Sequence, residues 1–235
     1  FEADTTGGVT QYHFDKPIAK PEQLLNFELG LGYKSNTVQW SGNVYWMEFT
    51  NELVKSGQVD IFGNPVYGNA PRTRHLGVEV DGTVRLLEQF VISGNAALSL
   101  NKIIDFTTII LDSSVANVNY SHKEKLDNNP IAGFPSFVGN IRFTYDYEGI
   151  STSLVGKYVG AFHTDNFNTT ENENNAYTVI NFESVCELPK IGDAEISLRG
   201  EVRNVLNKLY MQNGEGNSFF PAAERNYLIG VAVKL

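Results

Sequence analysis

Apolar and polar side chains alternate with a period of two along most of the chain, the spacing of β-strands whose two faces meet different surroundings. At the C-terminal end Tyr227, Ile229, Val231, Val233 and Leu235 share one face, and Leu228, Gly230, Ala232 and Lys234 share the other. Upstream, Ile196, Leu198, Gly200 and Val202 alternate with Glu195, Ser197, Arg199, Glu201 and Arg203. Phe137, Ile141, Phe143, Tyr145 and Tyr147 alternate with Asn140, Arg142, Thr144 and Asp146. The same alternation marks Leu76–Arg85, Phe90–Asn101 and Leu25–Tyr33. Segment Ser151–Phe162 follows it with two glycines on the apolar side. In Val38–Phe49 both faces turn apolar near the end, where Trp46 stands beside Tyr45 and Met47; a bulge and a covering loop are both open explanations. Pro21–Leu29 has the Pro-Glu opening of a helix, but alternation that continues through Tyr33 favours a strand.

The spacing of the strands is a second signal. About nine strands are expected, joined by links that alternate strictly in length. Lys34–Asn36, Leu87–Gln89, Glu148–Gly149 and Pro189–Gly192 are short; Asn51–Pro71, Phe106–Pro135, His163–Ala176 and Tyr210–Ala222 are long. All long links therefore fall at one end of the sheet. An antiparallel membrane barrel has this form, with short periplasmic turns and long extracellular loops. In hydrocarbon every backbone amide must be paired, so such a sheet closes; its apolar face meets lipid and its polar face an aqueous lumen. Alternation alone fits a soluble sandwich equally well, with the apolar face as core. Strand length, sided loops and the charged second face together favour the membrane.

Composition agrees. A mean hydropathy of -0.22 and the absence of any run of ~18 apolar residues exclude a membrane-spanning helix, but not strands whose two faces average out. Eighteen basic residues against 27 acidic ones give a net charge of -9, which argues against nucleic acid as a partner. A single cysteine, Cys186, excludes an internal disulfide framework. It falls on the apolar face with Ile180 and Phe182. The chain opens at Phe1 without an initiator Met or a signal-type segment, so a mature protein or a piece of one is expected.

Several strings, in order, carry a resemblance. They are Pro21-Glu22 with Asn26-Phe27-Glu28-Leu29-Gly30, Asn43-Val44-Tyr45-Trp46-Met47-Glu48 and Asn51-Glu52-Leu53-Val54. Asn69-Ala70, His75-Leu76-Gly77-Val78-Glu79-Val80 and Asn101-Lys102-Ile103 follow, then Lys157-Tyr158-Val159-Gly160 and Asp165-Asn166. Last come Val202-Arg203-Asn204-Val205-Leu206-Asn207-Lys208-Leu209-Tyr210 and Pro221-Ala222-Ala223-Glu224-Arg225-Asn226-Tyr227. Over nearly its whole length the chain resembles the barrel of TonB-dependent outer-membrane receptors. It departs from that pattern at its end, where Leu235 replaces the usual Phe.

The resemblance implies an all-β, antiparallel transmembrane barrel, with this chain supplying about nine C-terminal strands of 22. At this density the whole barrel needs roughly 570 residues. Residues 1–20 are then an extracellular loop or the start of the piece, and residues 21–235 the C-terminal portion of the barrel, without the N-terminal plug. The implied function is import of a scarce ligand (siderophore iron, cobalamin, another metal chelate or an oligosaccharide) across the outer membrane of a Gram-negative bacterium, driven from the inner membrane. Implied partners are membrane lipid, the remaining barrel and plug, TonB through the N-terminal segment, and the small-molecule or glycan ligand; no cofactor and no enzymatic activity are implied. Ligand held between loops and plug apex points to Tyr67, Arg72, Arg74, His75, Asp165 and Tyr210. A passive porin and a soluble β-sandwich binding module are the competing classes.

Other constellations are weaker. His163-Thr164-Asp165 offers one histidine–carboxylate pair without the second acid pair that barrel hydrolysis needs. His13 and Asp15 are two of the three or four ligands that a metal requires. Asn168-Thr169-Thr170 matches a glycosylation acceptor by accident, and Gly7-Gly8 lacks the strand–loop–helix setting of a phosphate cradle.

Overall fold

The computed structural model describes residues 2–6, 9–13, 19–59, 62, 64–112 and 120–235. Nine strands make one antiparallel sheet: β1 (Gln23–Lys34), β2 (Val38–Val59), β3 (Pro65–Arg85), β4 (Phe90–Asp105), β5 (Phe137–Tyr147), β6 (Ile150–Val159), β7 (Tyr177–Glu187), β8 (Glu195–Arg203) and β9 (Asn226–Lys234). Each strand pairs with its neighbours in sequence, so the order across the sheet is the order along the chain. β1 and β9 are its edges, and the sheet is open between them. Pro21–Leu29 belongs to a strand from Gln23 onward and not to a helix.

The register keeps like with like. Phe27, Trp46, Leu76 and Leu100 stand opposite one another across β1 to β4, and Leu29, Val44, Val78, Leu98 and Phe137 form the next row. A slip of one residue would send every one of these side chains to the other face. The apolar face is uncovered: Leu29 is 73% exposed, Val231 64% and Ile229 85%. Aromatic residues flank it, with Tyr33, Trp40, Tyr145 and Tyr147 towards the short turns and Trp46, Phe137, Tyr158 and Tyr227 towards the long links. Phe137 and Tyr145 are eight positions apart on β5. That is a rise of ~27 Å, or ~21 Å at a tilt of ~40°, close to the ~25 Å apolar band of an outer-membrane barrel.

The opposite face carries a lattice of short polar contacts. Arg142 Nη1 reaches Glu183 at 3.0 Å, Asn140 bonds Asn95 at 2.8 Å, Thr144 meets Ser153 at 2.9 Å, and Ser41 donates to Asp81. At Gly77 the backbone packs under a ring: a Cβ there would lie 2.5 Å from Tyr45 Oη and 2.8 Å from the Leu98 carbonyl oxygen. Tyr45 is the cross-strand partner of Gly77, so an aromatic ring fills the space that the missing side chain leaves.

Three of the short links are tight. Glu148 and Gly149, at φ 45° and 80°, make a two-residue turn of the type that suits the twist of a hairpin. The long links differ from expectation in one respect. Asn51–Pro71 is not a loop; β2 and β3 continue through it as a paired hairpin, with Lys55 opposite Tyr67 and Val59 opposite Pro65. Ladder pairing satisfies the backbone amides here without demanding an apolar face, so the sequence pattern fades while the strands persist. A second hairpin, Thr107–Asp112 with Tyr120–Lys125, projects within the next link, and a third, Met211–Glu215 with Ser218–Pro221, within the last.

Among the described residues, buried apolar side chains gather where these links fold back. One cluster joins Val54, Ala70, Ile103, Leu126 and Ile131, with Phe106 and Phe167 against it. A second joins Val159, Phe162, Tyr177 and Val179, with Val138 and Tyr210. The long-link end thus has a core of its own, and it is there that the candidate residues converge.

Candidate functional site

Tyr210 is placed by asparagines. Chain leaving β8 turns at Asn204 and Asn207, both left-handed at φ 54° and 51°, a conformation that asparagine tolerates better than most residues. The Asn204 amide closes the turn: its Oδ1 accepts from Lys208 N at 2.8 Å and its Nδ2 donates to the Lys208 carbonyl at 2.9 Å. Asn207 Oδ1 accepts from Arg225 N at 2.8 Å, tying the return of the link to its start. The Tyr210 ring then lies 4.4 Å from that of Tyr177 on the polar face. Together with Asn174, Lys208, Met211 and Glu224 the two tyrosines line a cavity of about 440 Å³. An aromatic pair, an ammonium, an amide and a carboxylate around one hollow suit a polar ligand with flat or ring-shaped parts.

Asp165 does structural work in its own link. It is buried, and its carboxylate accepts from Phe167 N at 2.9 Å, Thr169 Oγ1 at 3.0 Å and Asn172 Nδ2 at 2.5 Å. Its neighbour Asn166 is a hub between links. Asn166 Oδ1 accepts from Ala132 N at 2.7 Å, its Nδ2 donates to the Lys55 carbonyl, and its own carbonyl accepts from Asn129 at 2.9 Å. Thr164 bonds Gly216 in the third hairpin through both its hydroxyl and its backbone. Lys55 Nζ in the β2–β3 hairpin meets the fully buried Glu215 at 3.0 Å. All four long links are therefore joined into one body above the polar face. The Asp165 carboxylate bonds Phe167, Thr169 and Asn172 within its own loop, and no hydrogen bond joins it to His163 among the described residues.

His75 lies on the polar face of β3, 7% exposed. Its Nδ1 is 2.7 Å from Asn101 Oδ1, and its Nε2 is 3.1 Å from both carboxylate oxygens of Glu52. Phe49 and Phe134 each place a ring 5.3 Å from the imidazole. Phe134, from the long 106–136 link, is the cover over this part of the face, and this explains why both faces of β2 are apolar near Phe49. The register there is regular, so a covering loop and not a bulge is the cause. Glu52 arrives through Asn51, left-handed at φ 58°, which turns Glu52 inward although Glu48 on the same alternation faces the other way.

Arg72 and Arg74 lie elsewhere. They flank Glu48 on the apolar side of the sheet, Arg72 Nε meeting its Oε2 at 3.0 Å and Arg74 Nε its Oε1. Trp46 Nε1 donates to the same carboxylate at 2.9 Å, and the Arg74 guanidinium sits 5.3 Å from the centre of the Trp46 ring. Tyr67 is 55% exposed on the projecting hairpin. The structure thus separates the six candidates: Tyr210 at the cavity, Asp165 and His75 tied into the headpiece, Tyr67 at its periphery, and the two arginines on the opposite face. Tyr177, Lys208, Asn174 and Glu52 join them only through folding; the asparagine-rich run after Val202 was the one local hint. Asp15 lies outside the described residues, so the His13–Asp15 pair is not seen as a site, and the same holds for Gly7-Gly8.

The family model described as "TonB dependent receptor-like, beta-barrel" matches residues 3–205. The copper transporter OprC superposes with a TM-score of 0.66 at 16% identity, over 93% of this chain and 32% of that one. The ferric preacinetobactin receptor BauA from Acinetobacter baumannii gives 0.67 at 15% identity, over 90% and 29%. The unliganded ferric citrate transporter FecA gives 0.69 at 16% identity, over 91% and 32%. The chain spans about a third of the length of these structures. No curated relative matches the sequence.

Proposed function

Because the chain belongs to the TonB-dependent receptor β-barrel family, we propose that it forms part of an outer-membrane receptor that imports a scarce ligand with energy delivered through TonB. The observation that carries this reading is the headpiece: four long links locked together over the polar face, with a tyrosine-lined hollow of about 440 Å³ beside them. A passive pore needs an open mouth; a receptor needs a rigid surface that presents a few polar groups to one ligand. The apolar face meets lipid, the polar face meets the lumen, and the strands that close the open sheet, with a plug, are supplied by sequence beyond these 235 residues, in the same polypeptide or another. Ligand contact is expected at Tyr210, Tyr177 and Lys208, with Tyr67 at the rim. The ligand belongs to the range of ferric siderophores, other metal chelates, cobalamin and oligosaccharides.

The test is uptake. Cells deleted for the intact receptor are offered a labelled panel drawn from those four ligand classes, with and without functional TonB and with and without a protonophore. One class should lose accumulation in the deletion strain, in the TonB-deficient strain and on de-energising alike. Accumulation that survives loss of TonB, or porin-like ion conductance of the purified protein in a planar bilayer, overturns the receptor reading.

A further inference from the structure

The cations of the sheet are not spread evenly. Along β1 to β9, and below the bend at Asn51, the register puts Lys34, Arg85, Arg142, Lys157, Arg199, Arg203 and Lys234 on the polar face. Three others share the apolar face, and they stand together. Arg74 is opposite Lys102 on one side and Glu48 on the other, and Arg72 is one step further towards the long links, opposite Thr50 and Asp105. Directly below them runs the apolar row Phe27, Trp46, Leu76 and Leu100.

A charged row on the lipid side of a barrel is costly at the midplane and close to neutral at the interface. Its place here, at the last apolar row and beside a tryptophan, fixes its depth at the headgroups of the outer leaflet. The side chains are also pre-set. Glu48 engages each guanidinium through Nε alone, and the terminal Nη nitrogens have no partner among the described residues. Stacking over Trp46 holds the Arg74 plane in place. Arg72 and Arg74 are 53% and 37% exposed, and Lys102 is exposed beside them. Two forked donors and one ammonium against Glu48 and Asp105 leave a net positive patch. This is the donor set for a tetrahedral oxyanion, which takes paired N–H groups from arginine and a point charge from lysine.

We propose that Arg72, Arg74 and Lys102, held by Glu48 and Trp46, form a binding site on the lipid-facing surface for the phosphate of an outer-leaflet lipid headgroup. The proposal rests on the outer-membrane reading above. Lipid is the occupant because the patch is continuous with the exposed apolar face, so phosphate and acyl chain are met by one surface.

The test uses the intact receptor that contains this chain, purified in mild detergent and studied by native mass spectrometry. Didecanoyl phosphatidic acid, didecanoyl phosphatidylcholine and inorganic phosphate are the probes. Phosphatidic acid should be retained over phosphatidylcholine by on the order of tenfold, the scale expected when a few interfacial cations act on one anion. The triple variant R72Q/R74Q/K102Q should bring that ratio close to one, and Lys102→Gln, outside the ion pair and so without folding risk, should lower it by about threefold. Glu48→Gln removes an anion from the patch while its amide oxygen can still accept from a guanidinium and Trp46 still stacks on Arg74, so the preference should stay intact or rise. Equal retention of the two lipids by the native receptor overturns the proposal. So does loss of preference in Glu48→Gln equal to that in the triple variant, which makes the cluster a structural ion pair only. Full displacement of phosphatidic acid by equimolar inorganic phosphate also overturns it, since acyl chains then contribute nothing. Heat-modifiable gel migration and density fractionation of the same samples report on the barrel itself; a receptor that fails these removes the outer-membrane reading, whereas one that passes them without lipid preference removes this proposal alone.

Discussion

Single residues at the long-link end do more to shape loops than their exposed positions in sequence suggest. Asp165 was a reasonable ligand candidate as an acid in a polar loop; its three accepted hydrogen bonds make it the keystone of residues 163–176 instead. Truncation leaves buried donors unpaired at a cost of about 1–3 kcal/mol for the group. Asp165→Ala should therefore open that link to limited proteolysis while hydrogen exchange in β5 to β8 stays unchanged. Protection of the link in the variant would show that Asn166 and Thr164 suffice to hold it. Gly77 is the comparable point within the strands, where any side chain must displace the Tyr45 ring.

At the level of the element, each strand encodes its two environments in adjacent positions. On β5, Ile141 and Asn140 are neighbours in sequence and lie on opposite faces. A cation on the lipid face near the midplane costs about 2–4 kcal/mol, whereas on the lumen face it meets water and an existing polar lattice. Ile141→Arg in the intact receptor should sharply reduce the fraction that reaches the folded, heat-modifiable form, and Asn140→Arg should not. Equal effects of the two would contradict the assignment of faces. The β2–β3 hairpin shows the limit of this code. Beyond Asn51 the strands leave the apolar belt, the alternation stops carrying information, and the ladder alone defines the element.

For the molecule as a whole, the governing fact is the open sheet. β1 and β9 each leave one edge unpaired, and unpaired backbone in hydrocarbon costs several kcal/mol per group. This chain alone should fail to acquire heat-modifiable migration when refolded into phosphatidylcholine vesicles. Refolding it together with the remaining strands of its receptor should restore that migration, and a stable, detergent-extractable barrel from this chain alone would contradict the reading. The sequence by itself determined the strands of the sheet, their two faces and the alternation of short and long links, because a period of two is a local property that each strand carries independently. The Asn204 and Asn207 turns that lead to Tyr210 belong to the strings that carry the family resemblance, and it was that resemblance which made Tyr210 a candidate. Only the tertiary structure decided which candidates share a site. That Arg74 lies on the apolar face and His75 on the polar face follows from parity along β3. But that Phe134 caps His75, Asn166 binds two other links and Tyr177 meets Tyr210 follows from contacts between segments tens of residues apart. Loop closure over such distances leaves no periodic trace in the chain, since it depends on where the sheet brings the ends of the loops.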